Sequence, residues 1–354
     1  MSQPRFPSAG DYMEAIQSPQ ACFAVADLRK AQPVIGPLGL PIVYAGNFAY
    51  VFKLRLASGT VIAARSFARF LSDRQRRYSL MSRYLGDLRR PYLAGFAYEA
   101  RGIRVRNAWY PILRMDWVDG IPLNRHVEKV VDDQAALRSL AVQWRELVSD
   151  LEHYQIAHGD LQHGNVLVEP DTGMMRLVDY DAMWVPSYLD ALSAAELGHR
   201  NFQHPARSRS DFGPTLDRFS ALVIYTALRA LAERPDMWER YDTAENLLFV
   251  ATDFQDPTRS RLLAELRELP APLPDLARLL TWCCGTGLSR IPTLPTFSTD
   301  PIQVAPNGSP TAEWLNDSQG LRGPSTPDRF RSPARRGPQT LLDRLRERLF
   351  GPPR

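Results

Sequence analysis

Cysteine is scarce in this sequence: 354 residues contain three, Cys22 and the adjacent pair Cys283 and Cys284. That count and spacing exclude a disulfide framework and a zinc site, and they fit a reducing compartment and a cytoplasmic location. The first residues, MSQPRFPSAGDYMEAI, lack a charged start followed by an apolar core, so no signal peptide is expected. Long hydrophobic runs are missing too. The longest, Phe219 to Ala232, is interrupted by Arg229 and is too short to cross a bilayer, which predicts a buried helix rather than a transmembrane segment. The net charge is only +4, carried mostly by arginine. An excess that mild is too small to imply nucleic acid as a partner, which is not expected.

What remains is the composition of a folded globular chain, 44% hydrophobic and 23% charged, organised around one stretch, HGDLQHGNVLVEPDTGMMRLVDYD, His158 to Asp181. Asp160 is followed after four residues by Asn165. Two apolar, strand-like runs then lead to Asp179. A carboxylate near an acceptor hydroxyl can take its proton, while an amide and a second carboxylate can hold Mg²⁺ against the phosphates of ATP. The order and spacing therefore predict a phosphoryl-transfer site. A hairpin suits it, because paired strands keep the loop before and the turn after close together.

Upstream, residues 1 to 39 read as an N-terminal extension, a strap with a short helix at Tyr12 to Ile16. From Pro41 three β-rich runs are separated by AGN and ASG turns. Gly46 and Ala49 flank Phe48 where a backbone could approach phosphate, and Val51 follows where it could cap an adenine ring. The third run places Arg65 where a cation reaches back to the phosphates. Residues 71 to 86 predict a helix with Leu71, Tyr78, Met81 and Leu85 on one face and arginines on the other. Strands are expected at Phe96 to Arg101 and Tyr110 to Val118, and helices at Ala136 to Tyr154, from near Asp217, in part of Trp238 to Thr252, and at Pro274 to Cys284.

Beyond about Leu288 the composition changes. Residues 289 to 354 hold 11 of the 29 prolines and few apolar residues, so a disordered tail is expected, apart from a short amphipathic helix at 340–350.

With these residues laid out, the chain resembles the eukaryotic-like protein kinase superfamily across roughly residues 40 to 288. GNFAYV is similar to the end of a glycine-rich loop, AARSF to the strand that carries the ATP lysine, and RMDWV to gatekeeper and hinge. HGDLQHGN resembles the catalytic loop, VDYD the metal-binding turn, and DRFSALVIY the F helix. Together with ELGHRNFQHP these motifs resemble a bacterial kinase-like group encoded beside a PP2C-type phosphatase and a von Willebrand factor A protein.

The resemblance implies an α+β, bilobal fold, with a β-rich N-lobe over 40–118, a helical C-lobe over 119–288 and the tail over 289–354. It implies Asp160 as base, Asn165 and Asp179 as Mg²⁺ ligands, and Gly46 with Ala49 over the phosphates. Met115 becomes the gatekeeper, Asp116 and Val118 offer backbone atoms to adenine, and Asp217 is structural. A Ser/Thr kinase acting on a protein substrate follows as the expected function.

The departures leave alternatives open. Arg65 replaces lysine, Gln162 stands at the place of the catalytic-loop lysine, and helix 71–86 has no glutamate, with Asp73 near its start. A pseudokinase scaffold that binds nucleotide without turnover fits these losses. HGDLxxGN also resembles the catalytic loop of aminoglycoside and choline kinases, which leaves a small-molecule phosphotransferase. Gly159 replaces the arginine that grips a phosphorylated loop in many kinases, so phosphorylation at Ser187, Tyr188 or Ser193 is not expected to switch the protein in the usual way.

Overall fold

Alternating apolar and polar residues from Val43 onward, broken at Asn- and Gly-containing bends, become antiparallel strands in the computed structural model, and the stretches with 3.6-residue periodicity become helices. The structure describes residues 6–45, 49–69, 73–186, 194 and 196–294. Gly46, Phe48, Leu71, Ser187, Tyr188, Ser193 and the tail from residue 295 with its 340–350 segment lie outside the described residues, whereas residues 289–294, expected to belong to the tail, pack on the fold with Ile291, Thr293 and Leu294 buried. The fold is mixed α+β, and the chain separates between Asp119 and Gly120 into two compact units.

The first unit contains α1 (Ala9–Ile16), α2 (Pro19–Cys22), α3 (Ala26–Arg29), β1 (Gln32–Pro33), β2 (Val43–Ala45), β3 (Ala49–Arg55), β4 (Val61–Phe67), α4 (Arg74–Leu88), β5 (Phe96–Val105) and β6 (Ala108–Asp116). Its antiparallel sheet runs β1-β3-β4-β6-β5, with β2 also paired to β3. The two-residue period of β3 and β4 sends Phe52, Leu54, Ile62 and Ala64 to one face, where they meet Ile103, Val105 and Ile112.

That face is covered by the N-terminal residues. Tyr12, Ile16, Cys22, Phe23 and Leu28 are buried in the same core, so the stretch expected to be a strap is a packed layer. Ser8 and Asp11 cap α1 reciprocally, and the Tyr12 hydroxyl donates to the Phe67 carbonyl at 3.0 Å. Burial pushes the Cys22 thiol up to about 12.

α4 lies against the opposite face. Tyr78, Met81 and Leu85 are buried, and the Tyr78 ring sits 5.7 Å from Phe67 and stacks on Tyr98 at 5.9 Å. The sequence pattern put the arginines of this helix toward solvent, but Arg74 and Arg77 are buried. Arg74 lays its guanidinium 3.8 Å from the Phe67 ring centroid, and Arg77 pairs with Asp73, the acid one turn before it. Aromatic faces and a carboxylate give both cations partners that periodicity alone does not reveal.

The second unit adds β7 (Ile121–Pro122), α5 (Leu123–Val130), α6 (Gln134–His153), β8 (Val166–Val168), β9 (Met175–Leu177), α7 (Arg218–Glu233), α8 (Met237–Tyr241), α9 (Ala251–Gln255), α10 (Arg261–Leu266) and α11 (Leu273–Cys284). β7, β8 and β9 form a small antiparallel sheet. All but three residues of α7 are buried, as an all-round apolar helix requires. Each Leu, Val or Ile buried there contributes about 1.5–3 kcal/mol. Trp144 of α6 is fully buried and donates its indole N–H to the Ala221 carbonyl at 3.0 Å, tying α6 to α7. The result is a rigid post whose first turn begins directly after Asp217. Among the described residues no helix is long and apolar enough to cross a membrane.

Candidate active site

Three-residue strands are short, so the position of the loop before β8 depends on bonds beyond the ladder. Val166 pairs with Leu177 and Val168 with Met175, and the Val178 N–H continues the pairing by donating to the Asn165 carbonyl at 3.0 Å. Asn165, before the first strand, and Asp179, after the second, therefore stand at the same end of the hairpin. Asp179 takes a left-handed backbone, φ 64°, uncommon for a residue other than glycine. It is exposed.

Asp160 is joined to Asn165 directly. The Asn165 side-chain nitrogen donates to the Asp160 main-chain carbonyl at 2.9 Å and to its Oδ2 at 3.0 Å. The other carboxylate oxygen, Oδ1, accepts the His199 backbone N–H at 2.7 Å. Each oxygen keeps a further lone pair, so the carboxylate is aimed by two N–H groups without being saturated.

The loop carrying Asp160 is pinned from below. The buried Asp217 carboxylate accepts the N–H groups of His158 and, at 2.8 Å, Gly159. Burial pushes the Asp217 carboxyl up, while His158, the two N–H groups and Arg207 pull it back down. The fully buried His158 ring bonds the Val178 carbonyl through Nε2 at 2.9 Å and takes the Asp160 N–H on Nδ1 at 3.4 Å, which identifies the Nε2–H tautomer. This ring braces the loop against the exit of β9.

Gly159 has φ 78°, and a Cβ there would stand 2.2 Å from the Ala182 carbonyl oxygen. No side chain, least of all arginine, fits. Gln162 folds back on its own turn, its Oε1 accepting the Gly164 N–H at 3.0 Å.

For a divalent metal, the donor chemistry fits. Because the Asn165 nitrogen is committed to Asp160, its carbonyl oxygen is turned away and can serve as a hard ligand beside the Asp179 carboxylate. Among the described residues no group of three or more His, Cys, Asp or Glu side chains could hold a metal.

The remaining candidates lie in the first unit. Arg65 of β4 is buried and donates to the Tyr78 hydroxyl of α4 at 3.4 Å, with Phe67 5.5 Å away. α4 thus meets this cation with a phenol. Ala49 pairs with Phe67, and Val51 with Arg65. Met115 is buried between Ala63 and Phe96 in the sheet. Asp116 closes a two-bond clasp with Gly95: its N–H donates to the Gly95 carbonyl at 2.8 Å, and its Oδ2 accepts the Gly95 N–H at 2.9 Å. Its own N–H is therefore taken.

Sequence reasoning missed Tyr78, His199, Gln203 and Arg207. Tyr78 was visible only as a core position. His199 acts through its backbone, which leaves no side-chain signal. Compared with models of known families the chain matches none, and no curated protein matches it significantly.

Proposed function

We propose that this chain is a protein-kinase-like phosphotransferase, of the bilobal kinase type, that uses ATP and Mg²⁺ to phosphorylate a Ser or Thr hydroxyl of a protein substrate. The observation that carries the reading is the Asp160–Asn165 pair, together with the ladder bond from Val178 to Asn165 that brings Asp179 to the same hairpin end.

In the proposed reaction the acceptor hydroxyl sits on a remaining lone pair of the Asp160 carboxylate. Its oxygen bonds to the γ-phosphorus, the bond from that phosphorus to the β-γ bridging oxygen breaks, and ADP leaves with the electron pair. The hydroxyl proton passes to Asp160. Asn165 and Asp179 would hold Mg²⁺, which when bound neutralises charge on the phosphates. In the first unit, Arg65 is assigned to phosphate, and Met115 and Val118, with the Asp116 carbonyl, to the adenine. The motif resemblance extends the proposal to cytoplasmic bacterial signalling alongside a PP2C-type phosphatase and a von Willebrand factor A protein.

A second reading, a pseudokinase scaffold, is favoured by two contacts: Arg65 rests on Tyr78, and Gln162 is folded onto Gly164. Transfer of label from γ-³²P-ATP to the chain or to a partner, lost in Asp160→Ala and Asp179→Ala, supports the kinase. A thermal shift with ATP and Mg²⁺ but no transfer supports the scaffold.

A further inference from the structure

Among the described residues Arg207 is a cation without a counter-ion at contact distance. Its Nη1 donates to the Gly159 carbonyl at 2.7 Å and to Gln203 Oε1, while Nε and Nη2 are buried with no hydrogen-bond partner. Among the described residues it forms no ion pair, although Asp217, Asp160 and Asp211 are the charges it feels. A neutral amide could satisfy the Gly159 carbonyl. A guanidinium kept there at a desolvation cost points to a use for its charge.

Gln203 is the second group this guanidinium holds. With its Oε1 taken by Arg207, its Nε2 is turned the other way and is buried without a partner. It stands 2.7 Å from the point that a Cβ of Gly198 would occupy, and Asp160 Oδ1 stands 2.8 Å from the same point. Gly198 has φ 76°. The backbone between Gln203 and Asp160 is therefore bare, and the next residue along it, His199, donates its N–H to Asp160 Oδ1.

We propose that Arg207 is a positioning residue for Asp160: its guanidinium bonds the Gly159 peptide that precedes the carboxylate and seats Gln203, by packing and not by a hydrogen bond, against Gly198, the residue before His199. The inference rests on the reading of Asp160 as the base.

The experiment compares Arg207→Met, Arg207→Lys and Gln203→Met in the full chain, each checked for fold by circular dichroism. Hydrogen exchange at the His199 amide reports positioning without any need for turnover. Steady-state phosphotransfer separates kcat from KM. In Arg207→Met the His199 amide is expected to exchange on the order of tenfold faster, the equivalent of one lost hydrogen bond. Its kcat is expected to fall about tenfold to a hundredfold with KM for ATP unchanged. Arg207→Lys restores both toward wild type.

Gln203→Met keeps the bond to Gly159 and alters only the packing against Gly198, with faster exchange expected at the adjoining His199 amide, which preserves the test should Arg207→Met fail to fold. Unchanged exchange at His199 in the folded variants overturns the proposal, as does failure of Arg207→Lys to recover either quantity. A wild-type chain without phosphotransfer defeats the kinase reading alone, and the exchange result then decides the role of Arg207 by itself.

Discussion

One nitrogen of Asn165 bonds Asp160 twice, at its main-chain carbonyl and at its carboxylate, 2.9 and 3.0 Å away. The residue expected to hold metal is therefore also the one that fixes the expected base. Asn165→Ala should remove both functions at once, lowering phosphotransfer by about a hundredfold or more and unfolding free energy by about 1–2 kcal/mol. Asn165→Asp keeps an oxygen ligand but sets a second carboxylate against Asp160. It should lose activity as fully, measured by label transfer and urea denaturation.

The clearance at Gly159 gives a sharper stability test. Gly159→Ala forces a Cβ into the Ala182 carbonyl and an unfavourable φ, at an expected cost of about 2–4 kcal/mol in urea melts. Gly173→Ala, at φ 67° with nothing within 4 Å, carries only the conformational penalty and should cost about 1–2 kcal/mol.

Asp217 receives two buried N–H groups of the loop that carries Asp160. Asp217→Ala leaves both unpaired and should cost about 3–5 kcal/mol. Asp217→Asn retains one acceptor oxygen and should cost less, which chemical denaturation resolves.

His204 is buried, bonds the Cys283 carbonyl through Nε2 at 2.9 Å and takes the Ala206 N–H on Nδ1. Burial holds its pKa below the ordinary value of 6.5. Below 6.5 the unfolded chain binds a proton that the folded chain refuses. The stability from neutral His204 is thus complete above pH 6.5 and is lost as pH falls through the lower, folded value. His204→Gln should show a shallower fall in unfolding free energy below pH 6.5 than wild type.

Tyr78 should prove separable from Arg65. Tyr78→Phe keeps the stack on Tyr98 and removes a long hydrogen bond, so stability should change by less than about 1 kcal/mol. If Arg65 binds phosphate, Arg65→Ala should abolish the rise in Tm with ATP and Mg²⁺, and Tyr78→Phe should leave it intact.

Much of the fold's outline was legible in the sequence. Strand and helix periods located the β2–β4 run, α4, α6, α7 and α11 to within a few residues, and the apolar run at Phe219 foretold a buried helix. The role of residues 9 to 31 was not legible, because the short helices α2 and α3 carry too few residues to display a period, and their partners lie far along the chain. At the site, side-chain chemistry in a fixed spacing was visible at Asp160, Asn165 and Asp179. The groups that aim Asp160 were not, since His199 works through a peptide N–H and Arg207 through carbonyls. Arg74 and Arg77 were misplaced for a related reason: a cation over an aromatic ring looks like a surface residue when only its charge is read.

The layer formed by α1 to α3 also decides where the chain can be shortened. Cutting at residue 40, where the kinase-like motifs begin, would strip Phe52, Leu54, Ile62, Ala64 and Ile112 of their cover and turn a sheet face toward water. Recombinant truncations begun there should pellet as inclusion bodies, whereas those begun before Ser8 should stay in the supernatant.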